Sequence, residues 1–457
     1  MTDWLAHALA RYSTCEWGPL DPMTEREARR RVIDTLAVGI AALDEEGPVA
    51  ARRYAAQVET VAGARIWGSA LRTSVETAAL VNGVAMRNLD FSDSYFGIDS
   101  THPSDLIPGA LAIAEVNGVS GRKVLEAIAI GYEVSVTIAD AFGLRRHGWD
   151  HVNVTAIGAC CAFGRLLRLT ADQLEQALAI TVVPHATMLQ TCFGALTMWK
   201  GYGAPDAMRQ AAYACLLAQA GVEGAPEPFV GERGFFHLML DGRLGDRDAL
   251  RPLEQLRTPK RILDTHIKAW PVGYVGQSAA EAALRLHEHV RSLDDVAAVE
   301  IDAFFVAIDL MGSADKWYPA TRETADHSIP FTVATALRDG RIDPSSFHDD
   351  RVQDAVMHRF LQERVRLRED LAYTEAYPSA FPSRVTVRLH SGVAYTEEVT
   401  HPTGHAARPL SDEALQEKFM SLAEGVIGRG RAGTLLDILE SLDELDTVDE
   451  VSELLVP

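Results

Sequence analysis

The sequence predicts a mainly helical fold, in which a large all-helical domain built from both ends of the chain carries an inserted, smaller α+β lid domain. The 457 residues exceed what one ordinary core holds, which favours two domains. Up to about residue 260, Ala-rich segments that are apolar nearly all round recur, as in buried helices. The helical residue pattern ends near Thr258. It resumes at Ser411, where Ser-Asp-Glu is a helix-start signature.

The first domain is predicted from a succession of helical segments separated by short breaks. These segments span residues 25–43, 74–88, 104–116, 123–141, 154–167, 171–181 and 206–219. Good helix formers and helical spacing of apolar residues indicate the first. Thr170 is a candidate N-cap, and Gly221 follows the last segment as a C-terminal stop. With the helical C-terminus, this domain is expected at 1–262 and 405–457.

The inserted α+β lid domain is expected at residues 263–404. Residues 278–289 and 324–338 read as helices, the second closed by Gly340. Residues 296–310 are rich in β-branched and aromatic side chains and are predicted as a strand. Residues 384–389 and 394–399 alternate apolar and polar side chains around the turn Ser391-Gly392, which predicts a hairpin.

The composition excludes several classes of partner. With 43 Lys and Arg against 64 Asp and Glu, the formal charge is −21, which argues against nucleic acid and anionic membrane. A small anionic substrate remains possible, but its site has to be locally basic because the whole chain repels anions. The hydrophobic fraction of 47% and the charged fraction of 23% are those of a globular protein.

The cysteines and the N-terminus indicate a reducing compartment. The five cysteines form no CxxC pair and no even framework, so we expect buried thiols and neither disulfides nor a metal or iron–sulfur site. The N-terminus lacks the features of a signal peptide, and no apolar run approaches the ~20 residues of a membrane span. We therefore expect a cytoplasmic protein.

The first of four polar constellations runs from Asn88 to Asp105. Asp90 and Asp93 precede a loop that delivers His102 immediately before a helix. A histidine at a helix N-terminus has its pKa lowered by the helix dipole, so it stays neutral and can act as a base. Capping explains Ser104 and Asp105, but it does not require His102.

The other three constellations are basic. Residues 145–151 contain Arg145, Arg146, His147 and His151, a local basic cluster suited to a di- or tricarboxylate, with a solvated loop as the alternative. Lys200 sits among apolar and small residues before the turn 203–205, where it either binds an anion or reaches the surface. The last constellation comprises residues 266–271 with Lys316, Arg322 and His327, for which a surface loop or a structural hydrogen bond is the alternative.

These same motifs resemble the MmgE/PrpD family. No P-loop, GxGxxG, HExxH or GxSxG motif points elsewhere. The resemblance spans nearly the whole chain and rests on residues 88–93 with 102–104, 148–151, 198–201, Lys268 with Pro271 and 277–278, 325–330 and 401–405. It implies the two-domain architecture above, a homodimer, and an active site between the domains with no metal or organic cofactor.

The resemblance also implies the roles of individual residues. Asp90 and His102 match the acidic residue and the histidine at the reacting centre, and Lys200 and Lys268 match carboxylate-binding lysines. Gly273 and Val275 stand where relatives tend to carry a histidine or an acid, so Tyr274 or Tyr318 would have to replace it; Gly273 also suggests a larger pocket near the lid. The predicted catalytic set is Asp90, His102, His151, Lys200, Lys268 and Tyr318, and the predicted substrate-binding set is Ser94, Arg145, Tyr274 and His327.

The expected chemistry is proton transfer at a carbon α to a carboxylate of a small polycarboxylic acid. His102, aligned by Asp90, would be the base, and Lys200 and Lys268, helped by Arg145 or Arg146, would stabilise the enediolate-like charge. Loss of a β-hydroxyl makes the protein a dehydratase of the 2-methylcitrate type, which is the first interpretation. Epimerisation of an amino or imino dicarboxylate such as iminodisuccinate is the second, and cis-aconitate-type decarboxylation also fits. A catalytically inactive carboxylate-binding relative is the non-enzymatic alternative.

Overall fold

The first part of the chain is helical, as predicted. The computed structural model describes residues 3–194, 196–242 and 246–456. Its helices up to residue 254 are α1 (Trp4–Thr14), α2 (Pro22–Ala41), α3 (Glu46–Ala55), α4 (Val75–Arg87), α5 (Ile107–Asn117), α6 (Gly121–Ala141), α7 (Val152–Leu166), α8 (Ala171–Val182), α9 (Lys200–Gln219), α10 (Phe235–Met239) and α11 (Arg251–Glu254). Short strands β1 (Glu59–Arg65) with β2 (Arg72–Thr73), and β3 (Tyr95–Phe96) with β4 (Ser100–Thr101), form two small antiparallel ribbons.

The middle part of the chain mixes short helices with a four-stranded sheet. Its helices are α12 (Gln277–Leu286), α13 (Phe305–Met311), α14 (Arg322–Ala325), α15 (Ile329–Asp339), α16 (Asp349–Val352), α17 (Ala355–Arg364) and α18 (Leu371–Ala376). Its strands are β5 (Val296–Ala303), β6 (Val365–Glu369), β7 (Ser383–Leu389) and β8 (Ala394–Val399). Helices α19 (Asp412–Ile427), α20 (Arg429–Glu440) and α21 (Asp449–Leu454) complete the chain. A mainly helical fold with a small α+β part is thereby confirmed.

The four-stranded sheet has the order β6-β5-β7-β8, with β5 and β6 parallel and the other pairs antiparallel. The predicted hairpin is β7 and β8. The prediction of one strand over 296–310 is wrong, because β5 ends at Ala303 and α13 follows. Ala307 and Met311, four residues apart on α13, are both buried, so packing of one helical face outweighs the strand propensity of this segment.

The buried apolar side chains divide into two main clusters. The larger draws on residues from Leu5 to Ile267 and again from Leu415 to Leu455, so the C-terminal helices pack into the same core as the first part. The second draws on residues from Val272 to Val399. The domain limits at 262/263 and 404/405 stay a prediction. Within the described ranges, no helix has both the length and the apolarity of a membrane span.

The segment after α4, which carries the first polar constellation, is held by hydrogen bonds to two other parts of the chain. Ser94 and His266 exchange hydrogen bonds through their backbones, at 2.9 and 2.8 Å, so the loop after α4 is fixed to the segment that leads into the second cluster. Arg322, which lies in the same part of the chain as the second cluster, donates from its guanidinium to the carbonyl of Asn88. These contacts place the residues after α4 against both clusters.

Candidate active site

A cavity of about 460 Å³ lies where the two clusters meet. Residues between Arg87 and Lys268 supply one portion of its wall, and residues between Gly273 and His327 supply the rest. The polar side chains of the wall are Arg87, Asp90, Ser100, His102, Arg145, Asp150, His151, Thr191, Cys192, Lys200, Lys268, Tyr274, Asp309, Ser313, Asp315, Lys316 and His327. The cavity therefore concentrates basic groups inside a strongly acidic protein.

Asp90 is held by three cations, and we call Arg87, Asp90, Lys200 and Lys268 the Asp90 cage. The Nζ atoms of Lys268 and Lys200 lie 2.6 and 3.0 Å from the carboxylate, and Nη1 of Arg87 lies 3.4 Å from it. Burial alone would raise the pKa of the Asp90 carboxyl, but Lys200 and Lys268 hold it well below its usual range. Asp90 is therefore ionised and fixes both ammonium groups in the cavity.

The backbone at Asp90 is unusual. Its φ is +46°, in the left-handed region that non-glycine residues seldom occupy. Lys268 Nζ also donates to the Asp90 carbonyl at 2.6 Å, so the same ammonium contacts both the backbone and the carboxylate of this residue. A strained residue held in this way is typical of functional sites.

Lys268 is fully buried, so its charged form loses the solvation that water would provide. Burial lowers the pKa of its ammonium to about 8, although Asp90 opposes the shift. Lys200 reaches the cage differently, as the first residue of α9. The turn expected at residues 203–205 is absent from the described structure there, because α9 runs through Pro205.

His102 directly precedes the short 3-10 helix Pro103–Leu106. Its Nδ1 lies 2.6 Å from the carbonyl oxygen of Asp93 and 3.1 Å from Oγ of Ser94. A carbonyl only accepts, so Nδ1 carries the proton and Nε2 carries the lone pair of the neutral ring. Burial, reinforced by the charge of Arg87, holds the pKa of His102 well below its usual value. His102 is thus a neutral base whose Nε2 makes no hydrogen bond within residues 3–194, 196–242 and 246–456.

The expectation that Asp90 aligns His102 is wrong. The aligning group is the backbone of Asp93, because the Asp90 carboxylate is occupied by the lysines. Asp93 is itself immobilised, since its carboxylate accepts from the hydroxyl of Tyr132 at 2.7 Å and from the backbone N–H of Ser104 at 3.1 Å. The orientation of His102 therefore depends on a buried network behind the cavity.

A second histidine stands beside the first. The ring of His151 lies 5.0 Å from that of His102, and its Nδ1 is 2.8 Å from Oδ1 of Asp150. Oδ2 of Asp150 accepts from the thiol of Cys192 at 2.9 Å. Burial opposes ionisation of Asp150, but His151 and Cys192 bring its pKa down to about 2. Nε2 of His151 is buried and has no hydrogen-bond partner among the described residues.

The inserted part adds aromatic and basic groups to the wall. Nε2 of His327 lies 3.5 Å from the Asp90 carboxylate, and its Nδ1 contacts Asp326. Tyr274 is buried, stacks on His266 at 4.8 Å between ring centres, and its hydroxyl has no hydrogen-bond partner in the described structure. Burial raises the pKa of Tyr274 well above its usual value, so it remains a protonated hydrogen-bond donor.

The structure brings most of the predicted residues to this cavity. Asp90, His102, Arg145, His151, Lys200, Lys268, Tyr274 and His327 line it. Ser94 does not, and it contacts His102 from behind. Tyr318 does not either: it is 52% exposed and packs edge-on against His358, so the geometry gives no support to its predicted role as an acid.

The larger pocket expected near Gly273 stays a prediction, but the space next to this residue is occupied. A Cβ at this position would lie 2.8 Å from Sδ of Met311 and 3.2 Å from Cδ2 of His327, so neighbouring side chains already fill the space. Glycine here permits the close approach of His327 to the Asp90 cage.

Several site residues were not found from the sequence. Arg87 ends α4 and is 5% exposed, and Asp150 and Cys192 support His151. One overlooked signal is the scarcity of lysine, which accounts for only six of the 43 basic residues. Three of these six, Lys200, Lys268 and Lys316, line the cavity.

Known proteins are similar in sequence to this one over most of the chain. The model of the MmgE/PrpD N-terminal domain matches residues 7–246, and that of the MmgE/PrpD C-terminal domain matches residues 270–444. A 2-methylcitrate dehydratase of Salmonella typhimurium is 28% identical over 419 residues, which cover 85% of this chain and 83% of the relative. The cis-aconitate decarboxylase of Mus musculus is 24% identical over 430 residues (91% and 86%), and that of Homo sapiens is 25% identical over 444 residues (93% and 88%). On the two domain matches, which together span nearly the whole chain, the protein belongs to the MmgE/PrpD family.

Proposed function

We propose that the protein is a lyase that dehydrates a small di- or tricarboxylic acid by moving a proton at a carbon α to a carboxylate. One observation carries this proposal: a neutral histidine with a free Nε2 shares a cavity with a cluster of buried cations. Relatives named as dehydratases and decarboxylases support the same reaction class. That the protein needs no cofactor, forms a homodimer and resides in the cytoplasm stays a prediction.

The proposed base is Nε2 of His102. It takes the α-proton, and the imidazolium that forms keeps its hydrogen bond from Nδ1 to the Asp93 carbonyl. Because burial and the nearby cations disfavour that charge, the protonated state is short-lived and returns its proton readily. His102 is therefore in the form that can accept a proton at neutral pH.

The proposed electrostatic stabiliser is the Asp90 cage. Proton removal places negative charge on the neighbouring carboxylate, and Lys200 and Lys268 are already in place to receive it. Asp90 neutralises part of their charge, which makes the buried ammonium of Lys268 and the half-buried ammonium of Lys200 tolerable in the resting site. Their positions are fixed before the reaction, so little reorganisation is required as charge develops.

The proposed acid for the departing hydroxide is His151. Its Nδ1 lies 2.8 Å from Oδ1 of the ionised Asp150, which orients the ring, and its Nε2 is the nitrogen that would deliver the proton. In the balanced step, His102 takes the α-proton, the carbon–oxygen bond breaks, and the proton on His151 converts the leaving hydroxide to water. This arrangement supplies the proton-transfer group that Gly273 and Val275 lack.

Decarboxylation is the second candidate. The cis-aconitate decarboxylases of mouse and human align with 91% and 93% of this chain, and a 2-methylcitrate dehydratase of Yarrowia lipolytica aligns with 90%. In that reaction the carbanion arises when carbon dioxide leaves, and His102 would have to deliver a proton to the carbon from its charged form, which burial disfavours.

The two candidates are separated by their products. We expect incubation with 2-methylcitrate or citrate to give an absorbing α,β-unsaturated acid without release of carbon dioxide. A decarboxylase would instead release carbon dioxide from cis-aconitate. If both acids and cis-aconitate remained unchanged, the lyase proposal for this substrate class would be contradicted.

Turnover should decrease as the pH rises above about 8. The charged form of Lys268 is required, and burial lowers its pKa to about 8, so the ammonium is protonated below that pH and loses its charge above it. We would measure kcat/KM between about pH 6 and pH 10 for the protein and for Lys268→Arg, whose guanidinium stays charged in this range. If an active Lys268→Arg variant retained the same alkaline decrease, another group would be responsible.

A further inference from the structure

Lys316 belongs to the part of the cavity wall that the inserted segment contributes. It lies in the turn after α13, lines the cavity, and is only 4% exposed. It makes no ion pair with the Asp90 carboxylate, to which Lys200 and Lys268 are bound. Lys316 is therefore a further buried cation of the cavity, separate from the Asp90 cage.

The ammonium of Lys316 is poorly satisfied by the protein. Its one ionic neighbour in the described structure is Asp315, with Nζ 2.9 Å from Oδ2, a contact that engages one of its N–H donors. The other oxygen of Asp315 accepts from the hydroxyl of Ser313 at 2.6 Å. An ammonium has three N–H donors, and burying them without acceptors is costly. Beyond the pair with Asp315, the described residues offer its remaining donors no ionic partner, so these donors remain for a ligand.

The backbone around Lys316 is well anchored. Its carbonyl accepts from the hydroxyl of Ser328 at 2.6 Å, and its N–H donates to the carbonyl of Ser313 at 2.9 Å. The indole N–H of Trp317 donates to the carbonyl of Gly312 at 3.1 Å. These bonds fix the turn in place, so binding a ligand would cost little ordering.

We propose that Lys316 binds a second carboxylate of the substrate and makes the protein selective for di- and tricarboxylates over monocarboxylates. The inference rests on the proposed function, because it assumes that a first carboxylate occupies the Asp90 cage. The use of lysine supports it: arginine is the common basic residue of this chain, yet three of the six lysines line this cavity. The adjacent Asp315 offsets part of the charge, so the contribution is moderate.

The test compares two ligands that differ in one charge. Glutarate carries two carboxylates, and glutaramate replaces one of them with an amide of nearly the same shape. Their affinities are measured by calorimetry for the full-length protein and for Lys316→Met, Lys316→Gln and Lys316→Arg. The control is Lys260→Met, which changes a lysine whose side chain is 57% exposed. Thermal melting shows that each variant is folded.

We expect the protein to bind glutarate about 10- to 100-fold more tightly than glutaramate. Lys316→Met and Lys316→Gln should reduce this ratio to near one by weakening glutarate alone, while Lys316→Arg and Lys260→Met should retain it. Equal ratios in the protein and in folded Lys316→Gln would overturn the inference and leave the proposed function standing. Failure of the unaltered protein to bind glutarate or propane-1,2,3-tricarboxylate would overturn both.

Discussion

Replacing His102 with Gln should lower kcat by about 10²- to 10⁴-fold, the usual contribution of a positioned general base. Gln has no group that accepts a proton at neutral pH. The side chain still fits beside the Asp93 carbonyl, and the Asp90 cage is untouched. Affinity for propane-1,2,3-tricarboxylate, an unreactive tricarboxylate, should therefore change little. Steady-state kinetics and calorimetry on the same preparation separate the two effects.

The matched control is His7→Gln. His7 pairs with Glu175 at the surface, where its side chain is 48% exposed, and it does not line the cavity. Its replacement should leave kcat and binding unchanged. A His102→Gln variant with nearly full turnover would show that another group removes the proton, and His151 would then be examined first.

Replacing Lys418 with Met should lower the free energy of unfolding by about 3–5 kcal/mol, the typical cost of leaving a buried charge without its partner. Lys418 extends from α19, and its Nζ lies 2.6 Å from the buried carboxylate of Asp34. Burial raises the pKa of Asp34, and Lys418 opposes that shift. Without the ammonium, Asp34 would have to be either ionised and unpaired or protonated. Urea denaturation measures the change.

The same substitution should also lower activity, because Lys418 holds the backbone of the site. Its ammonium donates to the carbonyls of Lys268 at 2.8 Å and of Phe91 at 3.2 Å, so one side chain links the segments that carry Lys268 and Asp90. In the double variant Lys418→Met, Asp34→Leu, the buried charges are removed together, and most of the stability should return. Activity should stay low, since the two carbonyls remain unlinked. A single variant within about 1 kcal/mol of the starting protein would contradict this account.

Much of the fold is accessible from the sequence because its helices are long and buried. Residues 123–141 were predicted as a helix, and α6 spans Gly121–Ala141. The prediction failed where local and tertiary signals disagree. Lys200 was placed before a turn because glycines and Pro205 follow it, yet α9 includes them. Pro205 is the sixth residue of α9 and is buried, so packing of the helix outweighs the loss of one backbone donor.

The candidate site is accessible from the sequence as a set of residue types, but not as a set of contacts. Asp90, Lys200 and Lys268 were recognised, although their mutual pairing depends on residues 110 and 178 positions apart in the chain. The Asp93 carbonyl could not be predicted as the partner of His102, because every residue has a backbone carbonyl and the sequence does not distinguish one from another. Tyr318 was selected for its chemistry, and its exposure follows from packing that the sequence does not display.

The most direct test of proton transfer by His102 is proton NMR in deuterated water. The protein is incubated with 2-methylcitrate, citrate, cis-aconitate and an iminodisuccinate-type amino diacid, with His102→Gln and His7→Gln in parallel. We expect deuterium to enter a position α to a carboxylate of at least one acid, His102→Gln to abolish this exchange, and His7→Gln to leave it unchanged. Exchange that continues at an undiminished rate in His102→Gln would contradict the central claim.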